Sequence, residues 1–125
     1  MFGLLKKLSG QSASATETID VAEARERSKQ GMTFIDVRTP AEWSQTGLPS
    51  RALAISLLDG SFISKVEDAV NADKTAPILV ICRTGARSAQ ACKVLRKAGF
   101  THPINVKGGI LAWQLANLPK KPLRG

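Results

Sequence analysis

The residues best suited to chemistry in this sequence lie together at Cys82-Arg83-Thr84-Gly85-Ala86-Arg87-Ser88, directly after the apolar run Pro77-Ile78-Leu79-Val80-Ile81. That run is short and rich in β-formers and reads as a buried strand, while residues 86 to 98 have helical spacing, so Cys82 stands at a strand-to-helix junction. A loop at such a junction can turn several backbone N–H groups toward one centre, and the helix N-terminus adds about half a positive charge. A thiol at that centre is stabilised as thiolate, the nucleophilic form, and Arg83 and Arg87 are expected to add to the effect. Gly85 permits a positive φ, Thr84 and Ser88 offer hydroxyls, and Ala86 opens the helix. The alternative reading of Cys82 is a small apolar residue closing a buried strand. The two arginines, the glycine and the helix start weigh against it.

The other thiol reads differently. Cys92 falls mid-helix on the stripe Ala91, Cys92, Leu95, Ala98 and is expected in the core. With two cysteines, no CxxC and one histidine, His102, the chain offers neither a disulfide scaffold nor a metal-ligand cluster. The chemistry expected here requires no cofactor, and the cysteine usage fits a reducing compartment.

These residues need a frame to hold them. Asp20 and Glu23 give a capping-box-like start to a helix with Val21, Ala24 and Ser28 on one face, ended by Gly31. Thr33-Phe34-Ile35-Asp36-Val37 reads as a second buried strand, and Pro40 opens a short helix through Glu42 and Trp43, with Gly47 and Pro49 punctuating the chain after it. Residues 52 to 57 are strand-like. Phe62, Ile63, Val66, Ala69 and Val70 are helically spaced over 62 to 72. Residues 104 to 106 form the last strand candidate, before a Gly108-Gly109 turn and a helix from Ile110 to Leu118. Strands alternating with helices imply an α/β domain: a parallel sheet of about five strands, helices on both faces and right-handed crossovers. Binding sites in such sheets gather beyond the carboxyl ends of the strands, where Cys82 lies. The small polar stretch 9 to 16 places a flexible tail at 1–16, the domain at 17–118 and a basic tail at 119–125.

At 125 residues with 43% hydrophobic and 22% charged residues, the chain fits one soluble domain. Its formal net charge of +8 favours anions, but with four Phe, two Trp and no Tyr it lacks the aromatics that stack nucleic-acid bases, so no nucleic-acid partner is expected. The start, Met1-Phe2-Gly3-Leu4-Leu5-Lys6-Lys7-Leu8, has its apolar run before its charges, the reverse of a secretory signal, and no stretch approaches a membrane span. A cytoplasmic location is the expectation.

The run CRTGARSAQACKVLRKAGF, followed by NVKGGILAW, resembles the active-site half of a single-domain rhodanese, and FIDVRTPAEW at 34–43 resembles that family's amino-terminal signature. The similarity spans about residues 17 to 118. It implies that Cys82 accepts the outer sulfur of a small anionic donor such as thiosulfate and passes it to cyanide or a thiol, with a protein sulfur-relay partner as a further option. It also places Asp36 and Arg38 near the active loop. There Asp36 would accept hydrogen bonds from the loop or pair with Arg87; alternatively Asp36 only ends a strand and Arg38 is solvated. Glu42 reads as a helix-surface charge, Trp43 and Trp113 as packing. The turn Gly47-Leu48-Pro49-Ser50-Arg51-Ala52 departs from the family's pattern, lacking its histidine and second glycine. Two rivals stand beside a sulfurtransferase. A cysteine-dependent phosphatase or arsenate reductase also cradles an anion, but such phosphatases set five residues between cysteine and arginine, and Cys82 and Arg87 have four between them. A non-catalytic interaction module is the other, since fold alone does not establish function.

Overall fold

A computed structural model describes residues 16–123. The strands are β1 (Glu17–Ile19), β2 (Thr33–Asp36), β3 (Leu48–Pro49), β4 (Leu53–Ala54), β5 (Ile78–Ile81), β6 (Pro103–Val106) and β7 (Lys120–Lys121). The helices are α1 (Val21–Lys29), α2 (Pro40–Thr46), α3 (Phe62–Ala69), α4 (Ala86–Lys97) and α5 (Gly109–Leu115). Five strands form one parallel sheet in the order β1-β6-β5-β2-β4, which puts β5, the strand leading into Cys82, at its centre. All four residues of β5 are buried, as a strand covered on both faces requires.

Side chains alternate along β5 into two cores. Ile78, Val80 and Cys82 face α3 and α4, packing with Phe62, Val66, Ala91, Cys92 and Leu95. Leu79 and Ile81 face α1, α2 and α5, packing with Ala24, Trp43, Ile110 and Trp113. Trp113 is fully buried, lies 5.6 Å from the Phe34 ring and donates its indole N–H to the Pro119 carbonyl at 2.9 Å. The expected α/β architecture, a parallel five-stranded sheet with helices on both faces, is the one observed.

The differences from the sequence reading lie at ends and edges. β1 was not expected as a strand: Glu17 and Thr18 are exposed, and it joins the sheet by backbone pairing with β6. The strand expected over 52 to 57 shrinks to the exposed edge pair Leu53–Ala54. The helix expected to 72 stops at Ala69, because Asn71 and Ala72 turn left-handed at φ 54° and 65° and the Ala72 N–H bonds back to the Glu67 carbonyl. The last helix stops at Leu115 rather than 118, with Asn117 left-handed at φ 56°. Within the segment expected as a basic tail, Lys120–Lys121 pairs antiparallel with Leu48–Pro49. The atypical turn at Gly47 is thereby tied down: a Cβ on Gly47 would lie 2.6 Å from the Lys121 carbonyl oxygen. Residues 1–15 of the expected amino-terminal tail, and residues 124 and 125, lie outside the described residues. Among the described residues no helix is long and apolar enough to cross a membrane.

Candidate active site

Because the sheet is parallel, the carboxyl ends of β2, β5 and β6 open onto one rim, and the loop 82–87 sits there between its neighbours. Cys82 is buried at the loop's base. Its Sγ accepts hydrogen bonds from the Gly85 backbone N–H at 3.1 Å and from the Ser88 hydroxyl at 3.3 Å. Gly85, at φ 119°, makes the reversal that leads into α4 and brings its own N–H back onto the sulfur. Burial pushes the thiol up. Hydrogen bonds from the Ser88 hydroxyl and from the backbone N–H groups of Ser88, Gly85 and Thr84 outweigh it, so the Cys82 pKa lies below the ordinary 9.0. The lowering expected from sequence therefore rests on hydrogen bonds ahead of arginine charge. Cys92 has no such donors, and burial pushes it up to about 12.

Two features hold the loop in this shape. The first is Asn105 on β6, which sequence reasoning did not single out. Its Oδ1 lies 2.5 Å from the Ser88 hydroxyl, where it shares with the sulfur the one proton that hydroxyl can donate, and its Nδ2 donates to the Gly85 carbonyl at 3.3 Å, so it fixes the positions of both residues that face the sulfur.

The second is the start of α5. The N–H groups of Ile110 and Leu111 bond to the carbonyls of Cys82 and Arg83 at 2.8 and 3.2 Å. In a trans peptide the carbonyl and the following N–H point opposite ways, so drawing the Arg83 carbonyl into α5 turns the Thr84 N–H toward the sulfur. The approach is so close that only glycine fits at 109: at φ 60°, a Cβ there would lie 2.4 Å from the Arg83 oxygen and 2.5 Å from the Cys82 oxygen. Gly109→Ala is accordingly expected to lower stability by about 1–3 kcal/mol and to raise the Cys82 pKa. Thermal unfolding and the pH dependence of alkylation check both effects. An unaltered alkylation profile would contradict the coupling of α5 to the thiol.

Arg83 and Thr84 are exposed at the mouth and Ala86 is exposed at the helix start. Arg87 turns to α2, where its two terminal nitrogens donate to the two oxygens of Glu42, each at 2.7 Å. Glu42, expected as a helix-surface charge, thus does more than that reading gave it. It closes a capping box with Thr39 and at the same time clamps the loop arginine. Hydrogen bonds from Arg87 outweigh burial and, with those from Thr39, hold its carboxyl down to about 2 against an ordinary 4.5. Because the folded value is the lower one, the stabilisation from this pair is complete above pH about 4.5 and is lost as pH falls toward about 2.

Asp36 ends β2, as one of the two readings had it, but the rest of what was expected of Asp36 and Arg38 is not what is found. Asp36 makes no hydrogen bond to the loop or to Arg87, and Arg38 is not solvated. They form a buried pair, with Arg38 Nε 3.0 and 3.1 Å from the two carboxylate oxygens and a terminal nitrogen at 2.9 Å. Two further guanidinium N–H groups bond to the Thr46 hydroxyl and the Gly47 carbonyl, both at 2.8 Å. Arg38 precedes α2 and grips its far end, so the pair fixes the helix that carries Glu42. His102 bonds to Glu17 at the amino-terminal end of β6, the end of the sheet away from Cys82, which removes the chain's single imidazole from the loop. Among the described residues no cluster of His, Cys, Asp and Glu could hold a metal ion.

Comparison with known proteins agrees with this geometry. Residues 20–116 match the model of the rhodanese-like domain family. A sulfurtransferase of Allochromatium vinosum is 33% identical over 90 residues, covering 72% of this chain and 78% of that protein. The probable adenylyltransferase/sulfurtransferase MoeZ of Mycobacterium tuberculosis is 32% identical over 103 residues, 81% of this chain but 25% of that longer protein. The polysulfide-sulfur transferase homodimer of Wolinella succinogenes superposes with a TM-score of 0.72 at 28% identity, over 90% of this chain and 82% of that one.

Proposed function

From the fact that this chain belongs to the rhodanese-like domain family, we propose that it is a sulfurtransferase that carries sulfur as a persulfide on Cys82. The observation that carries the reading is the Cys82 sulfur, buried yet lowered in pKa by hydrogen bonds from Gly85 and Ser88.

In the first half-reaction the Cys82 thiolate attacks the outer sulfur of a donor. With thiosulfate, the bond between the two sulfur atoms breaks and its electron pair leaves with sulfite, giving a Cys82 persulfide anion. In the second, a thiolate or cyanide attacks the outer sulfur of that persulfide, and the electron pair returns to Cys82. Each step is a nucleophilic displacement at sulfur, related to thiol–disulfide exchange, and consumes no external oxidant or reductant. The loop N–H groups suit the anionic sulfur in both states. No cofactor takes part in this scheme. The donor is a small anion, the acceptor cyanide, a small thiol or the thiol of a relay protein, and the setting proposed is the cytoplasm.

The four-residue gap between Cys82 and Arg87 also separates this reading from phosphatase chemistry, because the smaller ring fits one sulfur better than a tetrahedral oxyanion. Sulfur transfer from thiosulfate to cyanide should exceed hydrolysis of an aryl phosphate by at least about 100-fold in one preparation, a gap of roughly 3 kcal/mol in barrier. A dominant, Cys82-dependent phosphatase rate would overturn the proposal.

The arginines should separate kinetically. Arg83 is exposed at the mouth, so Arg83→Ala is expected to raise KM for thiosulfate about three- to tenfold with kcat nearly unchanged. Arg87→Ala removes a cation, loosens the helix start and leaves Glu42 unpaired, so both parameters should worsen and kcat/KM should fall about 30- to 100-fold. Steady-state kinetics of the two variants check this, and equal effects would contradict the division of roles.

A further inference from the structure

Glu42 stands beside the mouth as a charge the sulfur chemistry itself does not call for. It holds Arg87 through two 2.7 Å hydrogen bonds, and the ion pair leaves that cation with little net field to offer an incoming anion. The neighbouring pairs are cancelled in the same way: Asp36 with Arg38 below the rim, and Asp59 with Lys65 beside it. Arg83, at the mouth itself, has no carboxylate partner among the described residues, and Lys107 at the end of β6 likewise has none. Beside Arg87 runs a groove walled by Val37, Leu57, Leu58 and Ile63, with Asp59 at its edge. Leu58 is 78% exposed there. An aliphatic wall next to a cation already paired with a carboxylate suits the organic body of a singly charged donor better than a compact dianion.

We propose that Glu42 is a specificity-determining residue that sets the charge of the donor: by cancelling Arg87 it tunes the mouth toward monoanionic organic persulfides and away from dianions such as thiosulfate. The inference rests on the sulfurtransferase reading above. With a persulfide donor, the Cys82 thiolate attacks the terminal sulfur, the sulfur–sulfur bond breaks, and the organic thiolate leaves with the electron pair; total charge is the same on both sides.

A fixed charge acts on a donor in proportion to the donor's own charge, so the gain for a dianion on removing Glu42 is the square of that for a monoanion. The test is single-turnover loading of Cys82 by thiosulfate and by 2-hydroxyethyl persulfide in wild type, Glu42→Gln and Glu42→Asp, with folding of each variant confirmed by thermal melting. Glu42→Gln keeps an oxygen for the capping box and for Arg87 while removing the charge. It should raise the second-order loading constant about threefold for the persulfide and about tenfold for thiosulfate, moving their ratio about threefold toward thiosulfate. The thiosulfate rate should also fall more steeply with added salt than in wild type. Glu42→Asp keeps the charge and should keep the wild-type ratio. An unchanged ratio in Glu42→Gln, equal losses with both donors, or the same shift in Glu42→Asp would overturn the assignment, since each marks a structural rather than an electrostatic role. Wild-type protein that is loaded by neither donor would instead defeat the sulfurtransferase reading.

Discussion

Cys82→Ser should bring sulfur transfer down to the uncatalysed level, a loss of at least about 10³-fold, because a serine hydroxyl in the same cradle is not ionised and cannot carry the transferred sulfur. Cys92→Ser should retain turnover. Cys92 lies in the core between β5 and α4 with its pKa pushed up to about 12, so it is protonated at neutral pH and out of reach of a donor. Its replacement places a hydroxyl in that core and is expected to cost about 1–3 kcal/mol of stability without abolishing activity. Steady-state kinetics of the two variants measure the contrast. Residual turnover in Cys82→Ser that disappears on also replacing Cys92 would contradict the site assignment.

The second large effect lies beneath the loop. Asp36→Ala leaves the Arg38 guanidinium buried with its carboxylate removed, and breaking a buried pair in this way costs about 3–5 kcal/mol. In a domain of this size that lowers Tm by roughly 10 °C or more. Replacing Arg38 by methionine in the Asp36→Ala background removes the stranded charge and should recover part of the loss, a non-additivity expected only of residues that act as a pair. Urea titration of the two single variants and the double variant reads this directly. A cost below about 1 kcal/mol for Asp36→Ala, or strictly additive costs, would contradict the account. Because Arg38 also grips Thr46 and Gly47 at the far end of α2, Asp36→Ala should loosen Glu42 and hence Arg87 as well.

These two predictions differ in how far the sequence alone leads to them. Cys82 and its loop were legible because the signal is local: an apolar strand, a cysteine, a glycine and a helix start within a dozen residues. The central sheet was legible for the same reason, since buried strands such as Ile78–Ile81 are uniformly apolar and the helices between them carry their spacing in short windows. What escaped depends on contacts between distant segments. Glu17–Ile19 and Lys120–Lys121 are strands through backbone pairing, and their side chains carry no alternating pattern. The capping box of Glu42 with Thr39 is a local i to i+3 pattern that the sequence reading passed over, and its hold on Arg87 spans 45 residues and exists only after α2 and α4 meet. Asp36 and Arg38 are two residues apart, yet whether they face solvent, the loop or each other is decided by the burial of the β2 end. Asn105 gave no signal of its own. On an interior strand it reads as an ordinary polar interruption, and its role appears only once β6 lies beside β5 and Ser88 comes within 2.5 Å of it.

The intact mass of the protein after treatment with a sulfur donor and removal of excess reagent tests the central claim most directly. The wild-type chain should gain the mass of one sulfur atom, located at Cys82 by fragmentation and discharged by cyanide, and Cys82→Ser should gain nothing. A wild-type chain that gains no sulfur from any donor, or that carries it on Cys92 instead, would contradict the assignment of Cys82 as the sulfur carrier.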